Sequence, residues 1–369
     1  MKKVLTSIKV FLVVVVLLSC GGTEPVNHLK VIAYYSAGPD RVDALPVEKL
    51  DQVIYSFCHL KGNRLAVDDA EDSLTIRKLV ALKARKPGLQ VVLSLGGWGG
   101  CKSCSDVFST DSARREFAQS VLELNQGLGT DGIDLDWEYP VIEGFPGHPF
   151  KLEDKANFTA LIQALRKTLG AGYQVSFAAG GFQKYLEDAI EWDKVMPLVD
   201  RVNIMSYDLV GGYATVTGHH TPLYSTPQQK ESADNAVQYL ASIGVPRNKM
   251  VIGGAFYARV WEQVPHTNNG LYQPGVFKQS IDYKDFDRGF EGFKSYWDDV
   301  AQAPYRYDAK RGLYATHDDE RSIALKTRYA IDQQLEGIMF WELPLDKPEG
   351  GMLDAIIAEK EKSTAKSSN

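Results

Sequence analysis

The chain has 369 residues, with 41 Lys+Arg against 47 Asp+Glu and a formal net charge of −6. Hydrophobic residues make up 44%, charged residues 24%, and there are 32 Gly and 16 Pro, which excludes a wholly disordered, collagen-like or coiled-coil chain. The mild acidic balance lacks the basic footprint of an electrostatic nucleic-acid binder, and aromatic residues at 11% suit both a packed core and a site that stacks flat ligands.

The first element in chain order is a targeting segment. Lys2, Lys3 and Lys9 form a basic start, and residues 10–18 are an unbroken apolar run too short to span a membrane. Ser19, Cys20, Gly21 and Gly22 follow, so residues 1–19 read as a signal peptide. The ending Leu17-Leu18-Ser19-Cys20 resembles a bacterial lipoprotein box. That resemblance implies lipidation of Cys20, a tether over residues 20–28, and a protein anchored in the bacterial cell envelope. Gly21 gives no clear signal for inner-membrane retention, so the outer membrane is preferred, with the side of the membrane left open. The alternative is an ordinary secretory signal with an incidental cysteine.

Beyond the tether, short β-branched and apolar runs recur at residues 30–35, 52–58, 90–95, 132–137, 174–179, 201–207, 250–256 and 337–341. Amphipathic stretches lie between them, for example at 74–86, 113–127, 155–169, 231–243 and 320–334. Alternating strand and helix predicts a parallel sheet. Eight repeats in one compact chain fit a closed (β/α)8 TIM barrel of the α/β class, here over residues 29–358. An open doubly wound sheet is the rival, but it normally carries a glycine-rich phosphate turn after its first strand, and Tyr34-Tyr35-Ser36-Ala37-Gly38-Pro39 is not one. A reduced, aromatic-rich insertion is expected after the seventh strand, about residues 260–315, holding a barrel helix and some short strands. Residues 359–369 are charged, then Ser/Lys-rich, and read as a disordered tail. Cys101 and Cys104 form a CxxC in a glycine-rich loop. A small disulfide and two free thiols are both open, and a zinc site lacks further ligands, so neither a metal nor another cofactor is expected.

The chemistry concentrates on the fourth strand, Asp131-Gly132-Ile133-Asp134-Leu135-Asp136-Trp137-Glu138-Tyr139-Pro140. Side chains alternate along a strand. Asp134, Asp136 and Glu138 therefore share one face, and Ile133, Leu135 and Trp137 the other. In a barrel the apolar face meets the helices, and the acidic face rises to the C-terminal rim, where active sites of this fold sit. Close like charges raise one another's pKa, which keeps a carboxylic acid protonated and able to act as a general acid. Stacked carboxylates also suit Ca²⁺ or Mg²⁺, but no histidine or calcium-loop pattern accompanies them.

The stretch from Asp131 to Pro140 resembles the DxxDxDxE signature of family 18 glycoside hydrolases, the chitinase family, with all four acids present at Asp131, Asp134, Asp136 and Glu138. Ser94-Leu95-Gly96-Gly97-Trp98 resembles the family's SxGG motif with its following tryptophan. Met205-Ser206-Tyr207-Asp208, Gly254-Ala255-Phe256-Tyr257-Ala258-Arg259 and Met339-Phe340-Trp341-Glu342 resemble the ends of its sixth, seventh and eighth strands, with Ala258 where glycine is commoner.

The resemblance implies substrate-assisted catalysis, for which this family is an exception to the usual two-carboxylate scheme. Glu138 would protonate the glycosidic oxygen. The substrate's own N-acetyl oxygen would attack the anomeric carbon, Asp136 would hold the acetamido N–H, and Tyr207 would hydrogen-bond the acetamido oxygen. Asp134 would share a proton or hydrogen bond with Asp136, with Tyr34 and Ser94 beneath it, and Asp131, on the opposite parity, would be structural. Trp341 would floor the −1 site and Trp98 would stack at +1. Gly97, Met205, Asp208, Tyr257, Arg259 and Phe57 would complete the sugar sites, although Met205 and Phe57 equally suit barrel filling.

The implied substrate is a β-1,4-linked N-acetylglucosamine polymer, cut by a monomeric, mostly endo-acting enzyme. Two other readings share the barrel. Chitin-binding lectin-like proteins lack the acid that Glu138 supplies here, and endo-β-N-acetylglucosaminidases acting on N-glycans usually lack the context of Trp137, Tyr139 and Pro140 and the pattern from Met205 to Asp208.

Overall fold

The computed structural model describes residues 29–367. The signal segment, Cys20 and the rest of the tether lie outside the described residues, as do residues 368–369. Among the described residues no helix is long and apolar enough to cross a membrane.

Eight parallel strands form the barrel: β1 (Lys30–Tyr35), β2 (Gln52–Lys61), β3 (Gln90–Gly96), β4 (Gly132–Asp136), β5 (Gln174–Gly180), β6 (Arg201–Met205), β7 (Met250–Ala255) and β8 (Gly337–Trp341). Each pairs in parallel with its neighbours, and β1 pairs with both β2 and β8, which closes the sheet. The period-2 alternation of a strand divides each one between two cores. On β1, Val31, Ala33 and Tyr35 join the layer between strands and helices. Ile32 and Tyr34 point inward and meet Ile54, Val92, Ala178, Met205, Val251 and Met339 in the barrel interior. The same alternation sends Ile133, Leu135 and Trp137 outward, which leaves the acids of β4 on the inner face.

The helices start where side chains satisfy their free backbone N–H groups. Asp69 accepts from Glu71 and Asp72 at the head of Ala70–Ala81, and Thr110 caps Asp111–Leu128. Asp319 and Ser322 make a reciprocal capping box on Glu320–Asp332. Asp131, at the opposite end of β4 from the acids, pairs with Lys83 at 2.7 Å and accepts from the Val91 N–H at 2.7 Å. It joins strands at the barrel floor, away from the rim.

Two segments depart from expectation. The inserted segment begins at Tyr257, directly after β7, and contains no barrel helix. It is an antiparallel sheet in the order Val276–Asp282, Tyr257–Glu262, Leu313–Thr316, Ala303–Asp308, Lys294–Asp298. In the fold Trp261, Val264, Leu271, Tyr305, Tyr307 and Tyr314 form a separate small core. The C-terminal helix Met352–Ser367 runs through most of the segment read as a disordered tail. Its Glu, Lys and Ala residues are good helix formers, and the helix is tied to the barrel by Arg328 with Glu359 and by Lys360 with Asp51 at 3.2 Å. Cys101 and Cys104 form a disulfide, and Cys58 is a buried free thiol.

Candidate active site

The acids of β4 rise from the barrel interior to its rim, each in a different setting. Asp134 is fully buried, level in register with Ser94 on β3 and Ser176 on β5. Its Oδ2 accepts from the Tyr34 hydroxyl at 2.9 Å. Its Oδ1 accepts from the Ser176 hydroxyl at 2.6 Å and from Asn203 Nδ2 at 3.0 Å. Tyr34 therefore sits where the family resemblance puts it. Ser94 lies level with Asp134, but its hydroxyl is buried without a hydrogen-bond partner. Burial raises the Asp134 carboxyl above its ordinary value, and the hydrogen bonds it accepts offset only part of that rise.

Asp136, one step up, is also buried, and its Oδ1 has no hydrogen-bond partner. Burial first, then the charges of Glu138 and Asp134, push its carboxyl well above the usual range. Glu138 follows just beyond the strand end. Part of its surface opens to the cleft, yet its carboxyl lies deep enough that burial pushes it up to about 7, against a downward pull from the Tyr139 hydroxyl and with a further push from Asp208. A carboxyl with that pKa is protonated for a substantial fraction of the time at neutral pH and can donate a proton.

Opposite stands Asp208, in a left-handed backbone conformation with φ 54°. It accepts from Arg259 Nε at 2.7 Å, Arg259 Nη2 at 2.6 Å and the Tyr257 hydroxyl at 2.9 Å. The buried His220 ring approaches with Nδ1 at 3.5 Å, just long of a hydrogen bond. Burial pushes the Asp208 carboxyl up, but His220 and Arg259 outweigh it and hold the group well below the usual carboxylate range. Asp208 is thus a fixed negative charge. The Tyr207 hydroxyl donates a weak hydrogen bond to Met339 Sδ at 3.9 Å. Burial keeps the phenol protonated, and the residue lines the cleft, where a stronger acceptor can replace the sulfur.

These groups line one cleft of about 750 Å³. Tyr34, Phe57, Trp98, Asp136, Glu138, Met205, Tyr207, Asp208, Tyr257, Arg259 and Trp341 all reach its wall. The Trp341 ring stacks on Phe57 with centroids 5.6 Å apart and planes 17° from parallel. Trp98, 47% exposed, stands at the mouth, 6.1 Å from the ring of Tyr213, which is 71% exposed. Asp134, Ser94 and Gly97 lie beneath the wall. At Gly97, with φ 78°, an added Cβ would fall 2.3 Å from Phe57 Cε2, and its N–H donates to the Asp136 carbonyl at 2.9 Å. Gly97 therefore seats the Phe57 ring and the Asp136 backbone and does not itself line the cleft.

The structure adds residues that sequence reading missed. Ser176 and Asn203 carry a signal in retrospect, as polar residues at inward-facing strand positions. His220, Phe182, Phe277, Ser280 and Asp282 come from loops or from the inserted sheet and carry no periodic signal. Among the described residues no cluster of three or more His, Cys, Asp or Glu is arranged to hold a metal ion.

The profile of glycosyl hydrolases family 18 matches residues 30–346. The chain is similar to Chitinase A1 of Niallia circulans, 34% identical over 300 residues, covering 74% of this chain and 43% of that protein. It is also similar to Chitinase B of Serratia marcescens, 28% identical over 387 residues, covering 84% and 76%. Among solved structures it resembles a family 18 N-acetylglucosaminidase from Paenibacillus barengoltzii, with TM-score 0.82, 34% identity and coverage of 90% and 99%. Chitinase ChiA74 from Bacillus thuringiensis superposes with TM-score 0.84 at 27% identity, covering 90% and 70%. The chain thus spans less than half the length of the Niallia protein but nearly all of the Paenibacillus one. With the acids of the family signature on the inner face of one barrel strand and a family match from β1 to just past β8, the chain belongs to glycosyl hydrolases family 18.

Proposed function

We propose that this chain hydrolyses β-1,4-linked N-acetylglucosamine polymers, chitin and chitooligosaccharides, with retention and with the substrate's acetamide as nucleophile. One observation carries the reading: Glu138, poised near 7, and Asp136, buried with an unpaired oxygen, share an aromatic-floored cleft whose other carboxylates are engaged. Asp208 is held in the Arg259 fork, and Asp282 lies 3.2 Å from Lys284 Nζ. Among the described residues lining the cleft, Asp208 and Asp282 are the carboxylates beyond Asp136 and Glu138, and both are ion-paired, which supports the substrate's acetamide as nucleophile. Glu138 protonates the leaving oxygen as the acetamido oxygen bonds to the anomeric carbon. The unpaired Asp136 oxygen accepts the acetamido N–H, and Tyr207 donates to its oxygen. The glutamate then takes a proton from the water that opens the oxazolinium ring.

The names of the Niallia, Serratia and Bacillus relatives support chitin as substrate. The exposed Trp98 and Tyr213 at the mouth support internal cutting of a chain that runs out past them. A second reading, release of single N-acetylglucosamine units, is favoured by the name of the Paenibacillus relative and by the 99% coverage of that chain. Assaying chitooligosaccharides beside high-mannose and complex N-glycans tests the substrate class. An early product ladder supports endo action, and early monosaccharide alone supports the second reading. We further propose that the enzyme is a monomer, held in the bacterial envelope, preferably the outer membrane, by a lipid on Cys20. The apolar run before Ser19-Cys20 supports this, and Cys20→Ser should release the protein from the membrane fraction or leave its signal uncleaved.

A further inference from the structure

A second cavity, of about 270 Å³, lies on the inserted sheet and shares no lining residue with the catalytic cleft. Two arginines reach it, Arg306 from strand Ala303–Asp308 and Arg321 from the first turn of helix Glu320–Asp332. Each guanidinium lies over an aromatic ring. Arg321 sits 3.6 Å from the centroid of Trp297, and Arg306 sits 4.6 Å from that of Phe290. Stacking fixes the plane of a guanidinium while leaving its N–H edges free for a partner.

Those edges have one partner between them. Among the described residues neither arginine has a carboxylate within ion-pair distance. The one hydrogen bond from either is Arg306 Nε to His317 Nε2, at 3.3 Å. Burial and the Arg306 charge push His317 down to about 3, so this histidine is a neutral acceptor and adds no positive charge. A third donor is also orphaned: the indole N–H of Trp297 is buried with no acceptor. Asp319 is the one carboxylate on the cavity wall, and it is turned to the Ser322 N–H at 2.8 Å as the helix cap. Arg321 is exposed and Arg306 half-buried, so water reaches their free edges. The costly group is the buried indole N–H left without an acceptor, and paired guanidinium forks match the geometry of carboxylate and phosphate oxygens.

We propose that this cavity is a binding site for an oxyanion, a carboxylate or phosphate group carried by a ligand, gripped by Arg306 and Arg321 with the Trp297 N–H as third donor. The site is separate from catalysis, so its occupancy is readable on Trp297 while the catalytic acids are untouched. The test titrates the full chain with sodium acetate and, in a parallel arm, with inorganic phosphate, at ionic strength held constant with chloride. Tryptophan fluorescence and Tm are followed in the wild type, Arg306→Gln, Arg321→Gln and Trp297→Phe. The expected result is a saturable signal with half-saturation on the order of 1 mM in at least one arm. The fluorescence change should disappear in Trp297→Phe, and affinity should fall at least about tenfold in each arginine variant. The arm that saturates names the ligand group. A linear response indistinguishable from chloride, or saturation unchanged in both arginine variants, overturns the proposal. The variants' folding is checked by hydrolysis of a chromogenic chitooligosaccharide, which neither arginine touches.

Discussion

Arg259 grips Asp208 with two donors, Nε at 2.7 Å and Nη2 at 2.6 Å, and thereby fixes a negative charge on the wall facing the catalytic acid. That charge is one of the causes that raise Glu138. Removing it acts in a known direction, because a like charge disfavours the ionised carboxylate.

In Asp208→Asn the raising charge is gone and the Arg259 cation is left uncompensated. Both changes lower the Glu138 pKa. Glu138 must be protonated to act as an acid, so the basic limb of the kcat/KM profile should move from near 7 toward lower pH. A limb that stays in place or moves up would show that Asp208 does not tune the acid.

Glu138→Gln keeps the size of the side chain and removes its transferable proton. General acid–base catalysis is worth roughly 10²–10⁴-fold, so kcat should fall by at least that factor while oligosaccharide affinity persists, since the aromatic walls are unchanged. The same variant makes a stability prediction. The folded-state pKa of Glu138 is raised to about 7, from the 4.5 of an ordinary glutamate. Between those values the folded state holds a proton that the unfolded state has released, so wild-type stability falls as pH rises through that window. Glutamine does not titrate. The Tm of Glu138→Gln relative to wild type should therefore grow from pH 5 to pH 8, and a pH-independent difference would contradict the burial of this acid.

Gly97→Ala places a methyl 2.3 Å from the Phe57 ring, at a backbone φ of 78° that L-residues rarely adopt. Phe57 is the stacking partner of Trp341, so the floor of the cleft should shift with it. The expected outcome is a raised KM for chitooligosaccharides together with a lowered Tm. Wild-type values of both would mean that the loop relaxes without disturbing the floor.

The barrel is legible in the sequence because a parallel strand buried on both faces writes itself as a short continuous apolar run, and each of the eight runs became a strand. The acids are legible because β4 alternates carboxylates with Ile133, Leu135 and Trp137, a pattern that only a strand with two different faces explains. What supports Asp134 is less visible. Ser94 and Ser176 flank it at the same level on either side, and sequence cannot tell which hydroxyl turns toward the carboxylate; the structure turns Ser176. The inserted sheet escapes because its strands pair at long range and bury their aromatic residues against one another, so neither the period of 2 nor that of 3.6 persists for long. His220 escapes for a different reason: its closeness to Asp208 depends on a loop that returns to the rim, where the Leu209 N–H donates to the His220 carbonyl at 3.0 Å.

The substrate's own participation gives the sharpest test of the proposed mechanism. The cleft supplies an acid at Glu138, an unpaired acceptor at Asp136 and a phenol at Tyr207 whose hydrogen-bond partner is the weak acceptor Met339 Sδ, while Asp208 is held in place by Arg259. If the acetamido group is the nucleophile, a sugar bearing a free amine at −1 cannot react however well it binds. The proximity effect lost with it is large, since well-oriented intramolecular groups are worth roughly 7–11 kcal/mol. Fully deacetylated chitosan should therefore be inert. Partially acetylated chitosan should be cut only where an acetylated unit occupies −1, so every new reducing end should be N-acetylglucosamine. Sequencing the products reads this directly. A substantial share of glucosamine at new reducing ends would rule out substrate assistance and require a protein carboxylate as nucleophile; Asp208→Asn would then abolish turnover instead of shifting its pH dependence.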